Sequence, residues 1–124
     1  DEAIAKRQKI DKCYREQLAN TQGIFIPAGN ANHKSNYSYF PILVGPDYKM
    51  SRDALYDHLK SHNILTRRYF YPLLSNLNMY KNMSGANKET LPVANQIAEQ
   101  VLCLPIYPDM TSAELSTIIE LITA

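Results

Sequence analysis

At 124 residues, 45% hydrophobic and 20% charged, the chain has the composition of one ordinary globular domain, long enough to bury a real core. Its net charge of +1 supplies no field for nucleic acid or an anionic membrane surface. No apolar run approaches a bilayer span, and the charged first residues do not read as a signal peptide.

Residues from about 3 to 20 read as a helix. Ile10, Cys13, Tyr14, Gln17 and Leu18 share a face, and Lys6, Arg7, Lys9, Lys12 and Arg15 supply solvated charge. Ile4 lies off that stripe, the pattern of a helix that packs on two bodies. Ile24-Phe25-Ile26-Pro27 is a short apolar stretch stopped by proline, and Ala28 to Ser35 is a polar loop. Tyr37 to Val44 reads as a strand with apolar side chains on both faces; Pro41 argues that one of its edges is unpaired or bulged there.

The next helix is the best marked. Ser51 is a natural N-cap, Asp53 sits in the first turn, Met50 can staple onto Leu55, and Leu55 and Leu59 stack one turn apart. Lys60 and His62 suit the negative end of the dipole, and Asn63 can take a left-handed exit. A strand over Ile64 to Tyr71 follows. The stretch Thr66-Arg67-Arg68-Tyr69-Phe70-Tyr71-Pro72-Leu73, in which Pro72 ends the ladder, is the densest cluster of aromatic and cationic groups in the chain. Alternation sends Arg67, Tyr69 and Tyr71 to one side and Thr66, Arg68 and Phe70 to the other. The bland reading of this stretch is an edge strand whose arginines snorkel over tyrosine rings. Leu74 to Thr90 is a long polar loop, of a length that is usually functional or partly mobile. A helix then opens on Pro92 with Val93, Ile97 and Val101 on one face, and Leu102 to Ile106 is a further short strand. Thr111-Ser112-Ala113-Glu114 is a capping box, Met110 staples onto Leu115, and Leu115, Ile118, Ile119 and Ile122 form the stripe of a last helix.

The fold class expected is α+β: a small split β-α-β type sheet of about three strands, with helices packed on one face. Crossover handedness makes the strands at 37–44 and 64–71 parallel, and the 102–106 strand slots between them, antiparallel to both.

Few motifs carry chemistry. His58 and His62 have the i, i+4 spacing of metal ligands but lack a third ligand and the glutamate of H-E-x-x-H, so no metal is expected. His33 stands alone in a polar loop. No nucleophile elbow or triad segment occurs, and four glycines leave no phosphate-cradling loop. The aromatic strand lacks the glycine-aromatic pattern of an RNA-recognition motif. Cys13 and Cys103 lie far apart without a CxxC partner and are expected as reduced core thiols, so the expected location is cytoplasmic.

Several segments together resemble the C-terminal small domain of DegT/StrS-type sugar-nucleotide aminotransferases, which are fold-type I PLP enzymes. Arg7, Tyr14 and Leu18 resemble the family's R-x(6)-Y-x(3)-L helix, and Asn36 to Ile42 its nsyy-fpi strand. Ser51-Arg52-Asp53-Ala54-Leu55 with Leu59 is similar to R-d-x-L-x-x-x-L, and Asn63 to Thr66 to gI-x-t. Tyr69 to Leu73 resembles hYxPlh. Leu91-Pro92-Val93-Ala94, Leu104 to Pro108 and Thr111 to Glu114 resemble the closing lPxAe, LPi-P and lt-eE signatures. Arg68 and Leu74 stand where many members have histidines; the R-R-Y-F-Y-P form resembles the subset acting on dTDP-linked 4-keto-6-deoxy sugars.

The resemblance implies that residues 1–124 are one small domain, with 1–22 the helix leading from an absent N-terminal large domain. It implies a parent that is a homodimeric PLP-dependent aminotransferase, moving an amino group from glutamate to a nucleotide-linked keto-deoxy sugar. The Schiff-base lysine and cofactor contacts would lie in the large domain, since none of Lys34, Lys49, Lys60, Lys81 or Lys88 occupies a comparable segment. The fragment alone would then bind no PLP and be inactive, with no catalytic residue of its own. Arg67, Arg68, Tyr69 and Tyr71 become candidate substrate-binding residues, with the Arg67/Tyr69/Tyr71 side toward the cleft. The rival readings are a stand-alone ligand-binding or regulatory α+β domain, and a structural or dimerisation module.

Overall fold

The computed structural model describes residues 1–29 and 33–124. Residues 30–32 of the polar loop expected over 28–35 lie outside them. In chain order the elements are α1 (Glu2–Leu18), β1 (Ile24–Phe25), β2 (Phe40–Val44), α2 (Arg52–Ser61), a 3-10 turn (Leu74–Asn76), α3 (Pro92–Gln100), β3 (Val101–Leu104) and α4 (Ser112–Thr123). The strands form one antiparallel sheet in the order β1-β2-β3, with Ile24 opposite Val44 and Phe40 opposite Leu104. The α+β class holds, with four helices and three strands among the described residues.

The alternating side chains Phe40, Ile42 and Val44 of β2, with Leu102 and Leu104 of β3, build the sheet side of the core. Ile10, Tyr14 and Leu18 of α1, Leu55 and Leu59 of α2, and Ile118 and Ile122 of α4 cover them. The Tyr14 ring lies 4.7 Å from that of Phe40, and its hydroxyl donates to the Pro105 carbonyl at 3.0 Å. Tyr48 is held likewise, donating to the Ile122 carbonyl at 2.7 Å. Gly23 permits the β1 turn: its φ is +74°, and a Cβ there would collide with the Tyr48 amide nitrogen.

The helix punctuation is as expected. The Ser51 hydroxyl accepts from the Ala54 amide at 3.2 Å, Asn63 takes a φ of 61°, and Thr111 and Glu114 complete the capping box. The buried stripe of α1 differs: it runs through Ile10, Asp11, Tyr14 and Leu18, and Gln17 is exposed. Asp11 can be buried because Arg15, expected as solvated charge, neutralises it at 2.8 Å. Arg15 also donates to the Pro27 carbonyl and lies over the Phe40 ring. The expected strand from Tyr37 begins only at Phe40. Tyr37 takes a φ of 52°, and the Ser35 and Asn36 side chains accept from the Tyr37 and Ser38 amides. In α3 the expected apolar face is not a core face: Val93 is 69% exposed, Ile97 is 38% exposed, and Val101 belongs to β3. Asn95 and Ala98 are the buried residues of that helix.

The strand expected over 64–71 is reduced to one bridge, Arg67 opposite Cys103, and the sheet's third strand is β1 instead. The predicted relation survives in that bridge, because β3 lies between β2 and Arg67 and is antiparallel to both. Arg67 and Cys103 exchange both backbone bonds, at 3.1 and 2.7 Å. The next bonded pairs would be Leu65 with Pro105 and Tyr69 with Val101. Pro105 has no N–H, and the Tyr14 hydroxyl occupies its carbonyl. The Val101 carbonyl is taken by the Arg52 guanidinium at 3.0 Å. Competing donors and one proline stop the ladder on both sides. The same alternation explains Pro41. Cys103 spends both backbone groups on Arg67, so its partner Pro41 needs no N–H toward β3. β1 reaches only Leu43 and Val44, so Pro41 sits on an unpaired edge as expected.

Candidate functional site

Residues Thr66 to Ser75, with Tyr56 of α2 and Leu91 and Ala94 at the start of α3, wall a cleft of about 890 Å³. A more apolar groove between Phe70, Leu73 and the Val93/Ile97 side of α3 continues it. All four predicted site residues, Arg67, Arg68, Tyr69 and Tyr71, line the cleft. Their predicted division into two faces does not hold, because the strand that would impose it is absent. The backbone turns back instead, the Tyr71 amide donating to the Arg68 carbonyl at 2.8 Å.

The four residues have different jobs. Arg67 is exposed, and its guanidinium has no ion-pair or hydrogen-bond partner among the described residues. Its bridge to Cys103 fixes only its backbone. Arg68 is engaged: Nη1 donates to Asp53 Oδ1 at 3.0 Å, and the guanidinium lies 4.6 Å from the Tyr56 ring centroid and 5.7 Å from that of Tyr71. Arg68 thus lies against tyrosine rings, though no edge strand carries it. Tyr69 packs edge-on against Tyr39 at 5.4 Å and tilts against Phe70 at 5.1 Å. Tyr71 is half-exposed, with Arg52 4.9 Å from its ring centroid.

Arg52 and Asp53 were not among the predicted site residues, yet they hold this wall. The Arg52 side chain is 4% exposed. Its Nη1 donates to the Ala98 and Val101 carbonyls, both at 3.0 Å, and its Nε donates to Asp53 Oδ1 at 2.8 Å. Ala98 lies in the last turn of α3, where carbonyls lose their intrahelical partners; Val101 offers its carbonyl at an unpaired strand edge. One guanidinium satisfies both and places positive charge at the negative end of the α3 dipole. The signal was present in the sequence: a cation directly after the N-cap opposes its own helix dipole, which calls for another role. At Asp53, burial pushes the carboxyl up, but the hydrogen bonds and charges of Arg68 and Arg52 outweigh it and hold the group below its ordinary value.

Among the described residues no lysine lines the cleft. Cys103 is paired with Arg67 through the backbone, and burial pushes its thiol up against the lowering effect of the Tyr69 N–H. Neither Cys13 nor Cys103 is in a disulfide. His58 and His62 lie with ring centroids 4.8 Å apart at the end of α2, and the described residues hold no cluster of three or more metal-ligating side chains. No described helix is long and apolar enough to cross a membrane. What remains is a free guanidinium beside phenol and phenyl rings, a surface suited to an anionic, hydroxylated ligand. Without an amine to condense with a carbonyl, these residues do not fit as the anchor of a PLP-type cofactor.

A model of the DegT/DnrJ/EryC1/StrS aminotransferase family matches residues 1–123. A curated relative, the dTDP-4-amino-4,6-dideoxy-D-glucose transaminase of Escherichia coli, is 54% identical over 108 residues, covering 87% of this chain and 29% of its own length. The chain thus spans less than a third of that relative. Among solved structures, DesI in the presence of its TDP-sugar product superposes with a TM-score of 0.87 at 24% identity, covering 98% of this chain and 31% of that one. A sugar aminotransferase of Streptococcus pneumoniae in its PLP form gives a TM-score of 0.84 at 22% identity, over 98% of this chain and 30% of that one. At those identities the two structures speak for the fold alone.

Proposed function

Because the chain belongs to the DegT/DnrJ/EryC1/StrS aminotransferase family, we propose that it is the small domain of a PLP-dependent aminotransferase acting on a dTDP-linked 4-keto-6-deoxy sugar. Glutamate is the amino donor in this reading, and the whole enzyme is a cytoplasmic homodimer. The observation that carries it is the cleft wall, where Arg67 stands uncommitted beside Tyr69, Phe70 and Tyr71.

In this reading the cleft residues bind and orient. A guanidinium grips two oxygens of a phosphate at once, and Arg67 has both edges free to do so. The exposed phenol of Tyr71 hydrogen-bonds a sugar or phosphate oxygen. The apolar continuation past Phe70 and Leu73 excludes water from one side of the ligand. In this reading PLP supplies the electron sink for amino transfer and is held by a large domain outside residues 1–124; among the described residues no lysine lines the cleft. The 124 residues alone are inactive in this reading.

The test expresses the chain together with the coding sequence upstream of Asp1. PLP, glutamate and dTDP-4-keto-6-deoxyglucose are added, and the amino sugar is followed by mass spectrometry. The expected result is product formation and a visible absorption band that borohydride abolishes, neither of which the 124 residues give alone. A colourless, inactive longer protein refutes the proposal and turns the reading to a stand-alone ligand-binding domain.

A further inference from the structure

We propose that Asp53 is a positioning residue of the cleft: it ties Arg68 into the wall, so that Arg67 alone is the cation offered to an anionic ligand. The geometry stands on the chain's own residues; only the identity of the ligand rests on the function proposed above.

Asp53 does not line the cleft; it stands behind it on the first turn of α2. Its Oδ1 accepts from Arg52 Nε at 2.8 Å and from Arg68 Nη1 at 3.0 Å. Arg52 is the fixed end of this arrangement, buried and bonded to two carbonyls at the α3–β3 junction. Arg68 is the end that faces the cleft, set against the rings of Tyr56 and Tyr71. Tyr71 in turn lies against Arg52, which closes the ring Arg52–Asp53–Arg68–Tyr71. Two adjacent arginines in one short turn would otherwise offer two mobile cations to the same ligand. Holding one of them in place keeps Tyr71 oriented and leaves a single guanidinium free.

The experiment maps phenylglyoxal modification of each arginine by peptide mass spectrometry, on the intact chain, with and without thymidine diphosphate. In the native chain Arg67 reacts, Arg68 reacts more slowly and Arg52 does not react. Asp53→Asn raises the Arg68 rate about three- to fivefold, the gain expected from releasing a partly exposed ion pair. Asp53→Glu brings it back, and Asp57→Asn, which removes the same charge one turn on, leaves it unchanged. Arg52 reports folding within the same sample. If it becomes reactive in Asp53→Asn, the ratio of Arg67 to Arg68 rates in the native chain decides instead. Equal native rates for Arg67 and Arg68, or an Arg68 rate indifferent to Asp53→Asn while Arg52 stays protected, overturns the proposal. Thymidine diphosphate should protect Arg67 in the native chain and both arginines in Asp53→Asn. Absence of protection in the native chain counts against the nucleotide-sugar reading, whereas the response of Arg68 to Asp53→Asn judges the positioning role by itself.

Discussion

Replacing Arg52 by Met should cost this fold about 3 kcal/mol, although the side chain is a cation at the wrong end of its own helix. The substitution keeps the length and apolar stem and removes three donors' worth of contact: to Ala98, to Val101 and to Asp53. Hydrogen bonds from a charged donor contribute roughly 1.5–3 kcal/mol each, and a buried acceptor left without a donor costs about 1–3 kcal/mol. The Asp53 contact is discounted, because that side chain is 60% exposed and water can replace the guanidinium. Against the two carbonyl bonds stands the desolvation of the guanidinium, which the variant no longer carries. Urea unfolding followed by circular dichroism measures the net. With a slope of about 2 kcal/mol per molar, the midpoint should fall by about 1.5 M. Asp53→Asn should cost more in the native background than in Arg52→Met, since only the former leaves a buried guanidinium without its carboxylate. A loss below about 1 kcal/mol for Arg52→Met would show that the two carbonyls find other donors, and would refute the argument that one guanidinium caps both the α3 terminus and the β3 edge.

Three further outcomes are expected. Arg67→Gln should weaken thymidine diphosphate binding by about tenfold or more in calorimetry at fixed salt, while Lys12→Gln, at an exposed α1 position that does not line the cleft, should not; equal losses would mean a diffuse charge effect. Burial raises the Tyr48 phenol from 10.0 to about 12, so the folded state keeps a proton that the unfolded chain releases near its ordinary value. Its stabilising contribution is complete below pH 10 and is lost as pH rises toward 12, so Tyr48→Phe should flatten that alkaline decline in urea midpoints. Gly23→Ala should destabilise by more than about 1 kcal/mol, because the new Cβ meets the Tyr48 backbone at a φ of +74°; a neutral result in thermal melts would contradict the turn geometry.

What the sequence disclosed and what it hid divide along the range of the interactions involved. The caps at Ser51 and Thr111, the left-handed Asn63 and the paired leucines of α2 were legible because their partners lie within one helical turn. The resemblance singled out Arg67, Arg68, Tyr69 and Tyr71, and the structure puts these residues on one surface. The roles within that wall were not legible, because alternation assumes a strand and the strand depends on who else wants its hydrogen bonds. Pro105 was a visible warning, since an antiparallel partner of residues 64–71 that ends in proline cannot donate where the ladder must continue. The guanidinium at Val101 was not visible, as no local pattern says that a side chain 49 positions earlier will take that carbonyl. The exposed Val93 and Ile97 mislead in a related way: periodicity finds an apolar face, but it does not say which surface covers it. That Arg67 has no side-chain partner among the described residues follows from these same long-range claims. Asp53 could have paired with either arginine by sequence distance; it takes Arg68 because the turn after the Cys103 bridge swings that side chain over Tyr56, one helical turn from Asp53 on the same helix.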